Sequence, residues 1–275
     1  MTAVAVTLPH GLFEGADRRQ EAVLRPPTGA DEAFLLENGH AWTRAERVTA
    51  LLSRCAARVA GRHGGEDAVR TLTVGDREAL LLHLRAAAHG DRLACVLDCP
   101  DCGGRLDLDL HISGVLVPPY PDARASYEAR CCGYDVRFTL PTGGDQEAAA
   151  REDGVVAGTR TLLERCVHEV RSRGRRVRRL PEPVAAELPA RMAALDPQAE
   201  MVVKLACPDC GAEFSAVLDA ATILFRELTA TTDRLYHEVH AIALHYHWSE
   251  REILGLDVQR RRRYLDLIAD AVGGT

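Results

Sequence analysis

The spacing of apolar residues changes several times along the chain, and each change predicts an element. Val4, Val6 and Leu8 alternate ahead of Pro9 and Gly11, a short strand running into a turn, and a second short strand follows over Glu21 to Leu24. Thr28 with Asp31 supplies a cap and an early carboxylate for a short helix carrying Phe34, Leu35 and Leu36. Thr43 and Glu46 form a capping-box pattern, and Val48, Leu51, Leu52, Cys55 and Val59 continue at helical spacing to a stop at Gly61. Cys55, on that stripe, reads as a small core residue. Thr73 and Asp76 open another helix, faced by Leu80, Leu81 and Leu84 and ended by Gly90. The segments Thr28 to Leu36 and Thr73 to Leu81 share a T-x-x-D start and a Leu-Leu pair, but two capped helices look alike by chance, so this carries little weight as a repeat.

From Leu93 the period becomes two. Leu93, Cys95 and Leu97 precede a turn and Leu106, Leu108 and Leu110 follow it, which predicts a hairpin. Ser126 to Leu140 predicts another around Gly133, and Met201 to Ala206 with Phe214 to Val217 a third. The stretch 141–158, rich in Gly, Ala and acids, reads as a surface connection or weak helix, and Leu163, Cys166, Val167 and Val170 mark a helical stripe with Cys166 in the core. Leu224, Leu228, Leu235, Val239, Ile242 and Tyr246 predict one helix of about six turns. Ser249 with Glu252 opens a short helix closed by Gly255, and Asp257 caps a last one carrying Tyr264, Leu265 and Ile268. The expected class is α+β, mostly helical, with short β-hairpins, a long C-terminal helix and a terminal helix pair. The expected divisions are an N-terminal strand and helical region over 1–91, hairpins with a large inserted region over 92–218, and a C-terminal helical region over 219–275.

Composition narrows the function classes. With 47% hydrophobic and 27% charged residues in 275, the chain reads as one large or two modest soluble domains. Its 34 basic and 40 acidic side chains leave a formal charge of −6, so nothing global attracts phosphate backbones or anionic lipid. Lys204 is the single lysine, which argues against Schiff-base mechanisms and phosphate loops. No apolar run approaches a membrane span and the first residues lack a basic region followed by an apolar core, so a cytoplasmic location and no membrane partner are expected. The nine cysteines then read as reduced, metal-bound or buried.

Two of those thiol pairs carry the most specific chemistry. Cys99-Pro100-Asp101-Cys102-Gly103 and Cys207-Pro208-Asp209-Cys210-Gly211 are the same pentapeptide, each at a predicted hairpin turn. Two residues between the thiols let both sulfurs face one point, Pro restricts the backbone, and Gly tolerates the tight conformation after the second ligand. Zinc takes four ligands tetrahedrally, so one knuckle is half a site and Cys99, Cys102, Cys207 and Cys210 together make a closed structural one for a single ion. The 104 residues between Cys102 and Cys207 make this a bipartite zinc ribbon with a large insertion. The loop-closure cost grows only logarithmically, and thiolate coordination can offset it. Three rivals stand beside it. A dithiol redox pair would open a helix, whereas these knuckles open strands. Separate zinc ions would need Cys131 and Cys132 to complete the first knuckle, although adjacent residues on a strand point apart. The third is a site that has lost its metal.

Other candidates are weaker. His237, His240, His245 and His247 crowd the predicted long helix, but His237 and His240 are three apart, not the four of H-E-x-x-H, so surface or core roles come ahead of a second metal site. The run 171–179 holds six arginines, and Arg260 to Arg263 form a second basic cluster. With aromatic residues at 5% and neither run interleaving stacking groups, a zinc-ribbon nucleic-acid binder is the alternative rather than the leading reading. No nucleophile, phosphate loop or paired carboxylates rise above background, so no enzyme is expected.

Several segments together resemble one family. Leu8-Pro9-His10-Gly11-Leu12, Leu24-Arg25-Pro26 with Thr28-Gly29 and Asp31-Glu32, and Leu72 to Leu82 are similar to the baseplate hub assembly chaperones of T-even-type phages and their relatives in phage-tail-like contractile injection clusters. Both knuckles, Ala194 to Glu200, Glu238-Val239-His240 and Trp248-Ser249-Glu250 with Ile253-Leu254 resemble the zinc-knuckle branch of bacterial injection clusters. Pro27 departs from the pattern, standing where an apolar residue is usual. The resemblance implies a non-enzymatic helper or minor component in building the baseplate and central spike, acting in the cytoplasm before sheath polymerisation, with hub, spike or wedge proteins as partners.

Overall fold

A computed structural model describes residues 3–230 and 232–273. The chain opens with an antiparallel hairpin of β1 (Val4–Glu14) and β2 (Asp17–Leu24), followed by α1 (Gly29–Asn38) and α2 (Arg44–Cys55). Next come β3 (Ala56–Val59), β4 (Arg62–His63), α3 (Glu66–Arg70) and α4 (Val74–His89), then the knuckle hairpin β5 (Arg92–Asp98) and β6 (Arg105–His111) and the single turn α5 (Ile112–Val115). The order then repeats, with β7 (Tyr127–Cys131), β8 (Tyr134–Phe138), α6 (Gly143–Ala150), α7 (Val155–Cys166), β9 (Val167–Ser172), β10 (Arg175–Arg176), α8 (Glu182–Leu195) and the second knuckle hairpin β11 (Met201–Ala206) and β12 (Glu213–Leu218). Four helices close the chain: α9 (Ala220–Ala230), α10 (Thr232–Tyr246), α11 (Glu250–Leu254) and α12 (Val258–Gly273).

The two halves are copies of one unit. The sheets run β1-β2-β3-β4 and β7-β8-β9-β10 in the same order, and the register shifts at the same point, where Leu24 meets Ala56 and Phe138 meets Val167. Leu51-Leu52-Ser53-Arg54-Cys55 ends α2 as Leu162-Leu163-Glu164-Arg165-Cys166 ends α7. In each unit the arginine before that cysteine reaches the aspartate of a threonine capping box, Arg54 to Asp31 at 2.8 Å and Arg165 to Asp145 at 2.7 Å. Each cysteine carbonyl accepts an amide from just past the second strand, Arg25 N at 2.9 Å and Thr139 N at 3.0 Å. The duplication thus relates residues 4–111 to 127–218, not the Thr28 and Thr73 segments that look alike in sequence.

Several expectations are revised by this arrangement. The α2 and α7 stripes do not run on to Gly61 or Val170: both helices stop at cysteine and the chain turns into a strand, because pairing with β2 or β8 satisfies the backbone that a further helical turn would have taken. Of the two readings of 141–158 the helix holds and the surface connection does not: the stretch carries the capped helix α6. Residues 182–195 form α8 despite their prolines, with Pro183 in the first turn, where no amide partner is lost, and Pro189 inside it. Twelve strands stand beside the helices among the described residues, so the fold is a mixed α+β one rather than mostly helical. The long C-terminal helix was predicted to pass through residue 231, which lies outside the described residues; α9 and α10 stand on either side of it. The three predicted hairpins and the terminal helix pair are present, with Asp257 accepting the Arg260 amide at 2.9 Å.

Four apolar clusters hold the described residues together. The largest joins the β1–β4 sheet to α2, α4, β5 and α9, and the second fills unit two between β7–β9, α7 and α8, with Cys55 and Cys166 buried in them as expected. A third lies under the knuckles and a fourth among α10, α11 and α12.

Candidate metal centre

Each knuckle closes its hairpin with the same pair of backbone bonds. Cys99 N donates to Gly104 O at 2.8 Å and Gly103 N to Cys99 O at 2.9 Å, as Cys207 N does to Ala212 O and Gly211 N to Cys207 O, both at 2.9 Å. Gly103 and Gly211 sit at φ of +70° and +76°, a left-handed conformation that costs glycine little. Folding of the two units then lays the hairpins tip to tip, and the first thiol of each knuckle is buried while the second is exposed.

All four sulfurs lie within 4.8 Å of one another, with Cys99 Sγ 3.7 Å from Cys210 Sγ and Cys102 Sγ 3.7 Å from Cys207 Sγ. A tetrahedron of Zn–S bonds near 2.3 Å has edges of about 3.8 Å. The cysteines are free, and their separations far exceed a disulfide bond of about 2.05 Å. Donor type, number and spacing therefore fit one tetrahedral metal ion of soft-ligand preference. Hydrogen bonds from the Cys210 and Asp209 amides hold the Cys207 thiol down at about 7. Against a bond from the Ala212 amide, proton sharing with Cys102 and Cys207 pushes Cys210 up to about 12. Gly104 allows the close approach: a Cβ there would overlap Asp209 of the opposite knuckle and stand 3.2 Å from Cys102 Sγ. Leu106, Ala212 and Phe214 pack beneath the buried thiols.

Among the described residues no other such group occurs. Cys131 is buried in the second cluster and the Cys132 thiol donates to Glu187 at 3.1 Å, so the two point apart and neither joins a knuckle. His237, His240 and His245 sit on α10 and His247 just beyond it, and they enter no metal-ligating group among the described residues.

A network of buried charge joins the units, and beyond the Thr-x-x-Asp caps little in the residue pattern signals it. Asp76, at the start of α4, accepts His10 N at 2.7 Å and Gly11 N at 2.9 Å. Burial pushes its carboxyl up to about 7, against those two hydrogen bonds. Asp196, ending α8, accepts Gly75 N at 2.9 Å and the Tyr120 hydroxyl at 2.7 Å. Arg77 is buried among Thr49, Val69 and Ala45, and Arg261 is buried between Glu32 and Glu238. These groups lock helix ends to neighbouring elements.

Two duplicated units are joined by buried hydrogen bonds and ion pairs, and their four knuckle thiols meet at one point. The family model for the T4 bacteriophage base plate protein matches residues 14–226, more than half of the chain, and the protein belongs to that family. Membership points to a structural part in the tail baseplate and to association with other baseplate proteins. No curated protein and no solved structure matches the chain. No helix among the described residues is long and apolar enough to cross a membrane.

Proposed function

We propose that the chain is a non-enzymatic assembly chaperone or minor structural component of the baseplate hub and spike in a phage-tail-like contractile injection system, built around one structural zinc ion held by Cys99, Cys102, Cys207 and Cys210. The observation that carries this reading is the convergence of two identical knuckles, one from each unit, on one point of tetrahedral size in a chain of the baseplate family. Four thiolates would leave zinc no open position, so the metal serves to pin the units rather than to activate water. The regions 1–91 and 219–275 would then flank a zinc-clasped middle over 92–218. Cytoplasmic action before sheath polymerisation accords with this role. The test is co-purification: the tagged chain expressed with the other proteins of its tail cluster is expected to retain hub, spike or wedge proteins. Recovery of none of them, together with salt-sensitive binding to DNA or RNA that is lost on neutralising Arg260 to Arg263, would instead favour a zinc-ribbon nucleic-acid binder.

A further inference from the structure

The helix openings of the two units are used in the same way. Helix α6 enters a socket formed by α2, α3 and α4: Gly143 N donates to Leu72 O at 3.0 Å, Thr142 pairs with Thr73, and Glu147 accepts from Thr49 at 2.5 Å and Arg70 at 3.0 Å beside buried Arg77. Helix α1 enters a second socket formed by α10, α11 and α12: Gly29 N donates to Leu256 O at 3.0 Å, Thr28 pairs with Asp257, and Glu32 accepts from Arg261 at 2.9 Å. In both sockets a leucine carbonyl just before a helix cap takes the first amide of the incoming helix, and an arginine four residues after the cap comes close to its opening glycine.

The duplication provides a third such place. Aligning the units at the cysteines that end α2 and α7 and at the starts of α4 and α8 puts Val155, Val156 and Arg160 of α7 where α2 has Arg44, Ala45 and Thr49, and puts Leu180, Glu182 and Ala185 at the start of α8 where α4 has Leu72, Val74 and Arg77. These residues of unit two line a cleft of about 550 Å³. Val155 and Val156 are each 86% exposed there, the most exposed large apolar side chains among the described residues. The cation has changed helix without leaving the socket: Arg77 becomes Ala185, while Thr49 becomes Arg160. Among the described residues, neither of the two matching helix openings nor the helix that follows unit two fills the cleft. The openings of α1 and α6 are engaged as above, and α9, which follows unit two, packs on α4 with Asp219 paired to Arg44.

We propose that the α7–α8 cleft is a docking socket for the first turns of a helix from another baseplate protein, one that opens with an unbranched small residue and carries a carboxylate within its first two turns. Its first free amide meets the Leu180 carbonyl, its carboxylate meets Arg160, and its apolar side covers Val155 and Val156. A second copy of this chain has its own matching openings already engaged, which turns the choice to a different protein. Small residues at the opening let the helix seat as Gly29 and Gly143 do, and the acid supplies the charge that Glu32 and Glu147 supply in the filled sockets. The inference rests on the reading of the chain as a baseplate assembly protein but not on its metal.

The test places a photo-crosslinking amino acid at Val156 of the full chain, with a control at Val202 on β11, which is 50% exposed, in cells producing the remaining proteins of its baseplate. The expected product is a crosslink from Val156, absent from the control, to a helix opening with an acidic early turn in another baseplate protein. Arg160→Glu is expected to reduce it by about tenfold or more. This variant gives up an exposed i,i+4 pair with Glu164 and the weaker attraction of Glu182, both at the surface, and should keep a melting temperature and metal content close to wild type. Crosslinks no stronger than the control, crosslinks to a second copy of this chain, or a yield unmoved by Arg160→Glu would overturn the socket. If the chain also retains no baseplate protein on co-purification, the wider reading falls with it; if it retains them without a Val156 crosslink, the socket alone falls.

Discussion

Arg261 and Glu32 stand 229 positions apart and are joined by two hydrogen bonds of 2.9 Å, with the Arg261 side chain fully buried. Glu238 takes a third bond from the same guanidinium at 3.0 Å, so one cation closes the socket between the start of the chain and its C-terminal helices. Removing one member of such a buried set leaves unpaired charge, a loss of roughly 3–5 kcal/mol. Arg261→Met is therefore expected to lower the unfolding free energy by about that amount in urea titration. A triple variant that adds Glu32→Gln and Glu238→Gln to Arg261→Met should regain part of the loss, because fewer uncompensated charges remain.

The approach of the units depends on glycine at the start of α4. A Cβ at Gly75 would overlap the Asp196 carboxylate that accepts its amide, whereas one at Gly114 would meet nothing within 4 Å. Gly75→Ala is expected to destabilise by about 1–3 kcal/mol and Gly114→Ala by no more than about 0.5 kcal/mol, read from denaturation midpoints at constant slope.

Asp76 gives the fold a pH dependence. Burial raises its carboxyl to about 7 in the folded chain, above an unfolded value of about 3.9. The folded state thus holds the proton more tightly, and the stability this contributes is full below the unfolded value and lost as pH rises through about 7. Between pH 6 and 8 the wild type should lose stability through this group by a few kcal/mol at most. Asp76→Asn cannot ionise, so its stability should vary less over that range; an unchanged slope would show that Asp76 does not titrate there.

At the knuckles, Gly104→Ala should weaken metal retention, since the added methyl would displace Asp209 and crowd Cys102. A competition titration with a chromophoric chelator is expected to show faster and more complete metal loss than in the wild type, with secondary structure by circular dichroism unchanged.

How much of this was legible in the sequence depended on whether the signal was local. The knuckles were, because the identical pentapeptides state both ligand spacing and turn chemistry. The hairpins, and the caps at Thr43, Thr73 and Ser249, were legible for the same reason, each resting on residues within a few positions. Ala56 to Val59 and Val167 to Val170 were misread because their apolar spacing suits a helix, and only pairing with β2 and β8, whose register partners lie 32–37 and 29–34 positions away, makes them strands. Helix α8 was hidden by Pro189, a residue its buried face of Val184, Leu188 and Met192 overrides. Helix α6 read as a weak helix because its buried residues are glycine and acids, whose value comes from Arg77, Arg70 and Thr49 across the socket. The duplication was faint because the units share a pattern of cap, ion pair and knuckle more than a run of identical residues.

The central claim is that the two remote thiol pairs share one structural ion, and metal stoichiometry on the purified full-length chain tests it most directly. Mass spectrometry of the native protein and elemental analysis are expected to find one zinc per chain, lost when either Cys99 or Cys210 is changed to serine. A chain that carries no metal, two ions, or one that survives removal of either knuckle would contradict it.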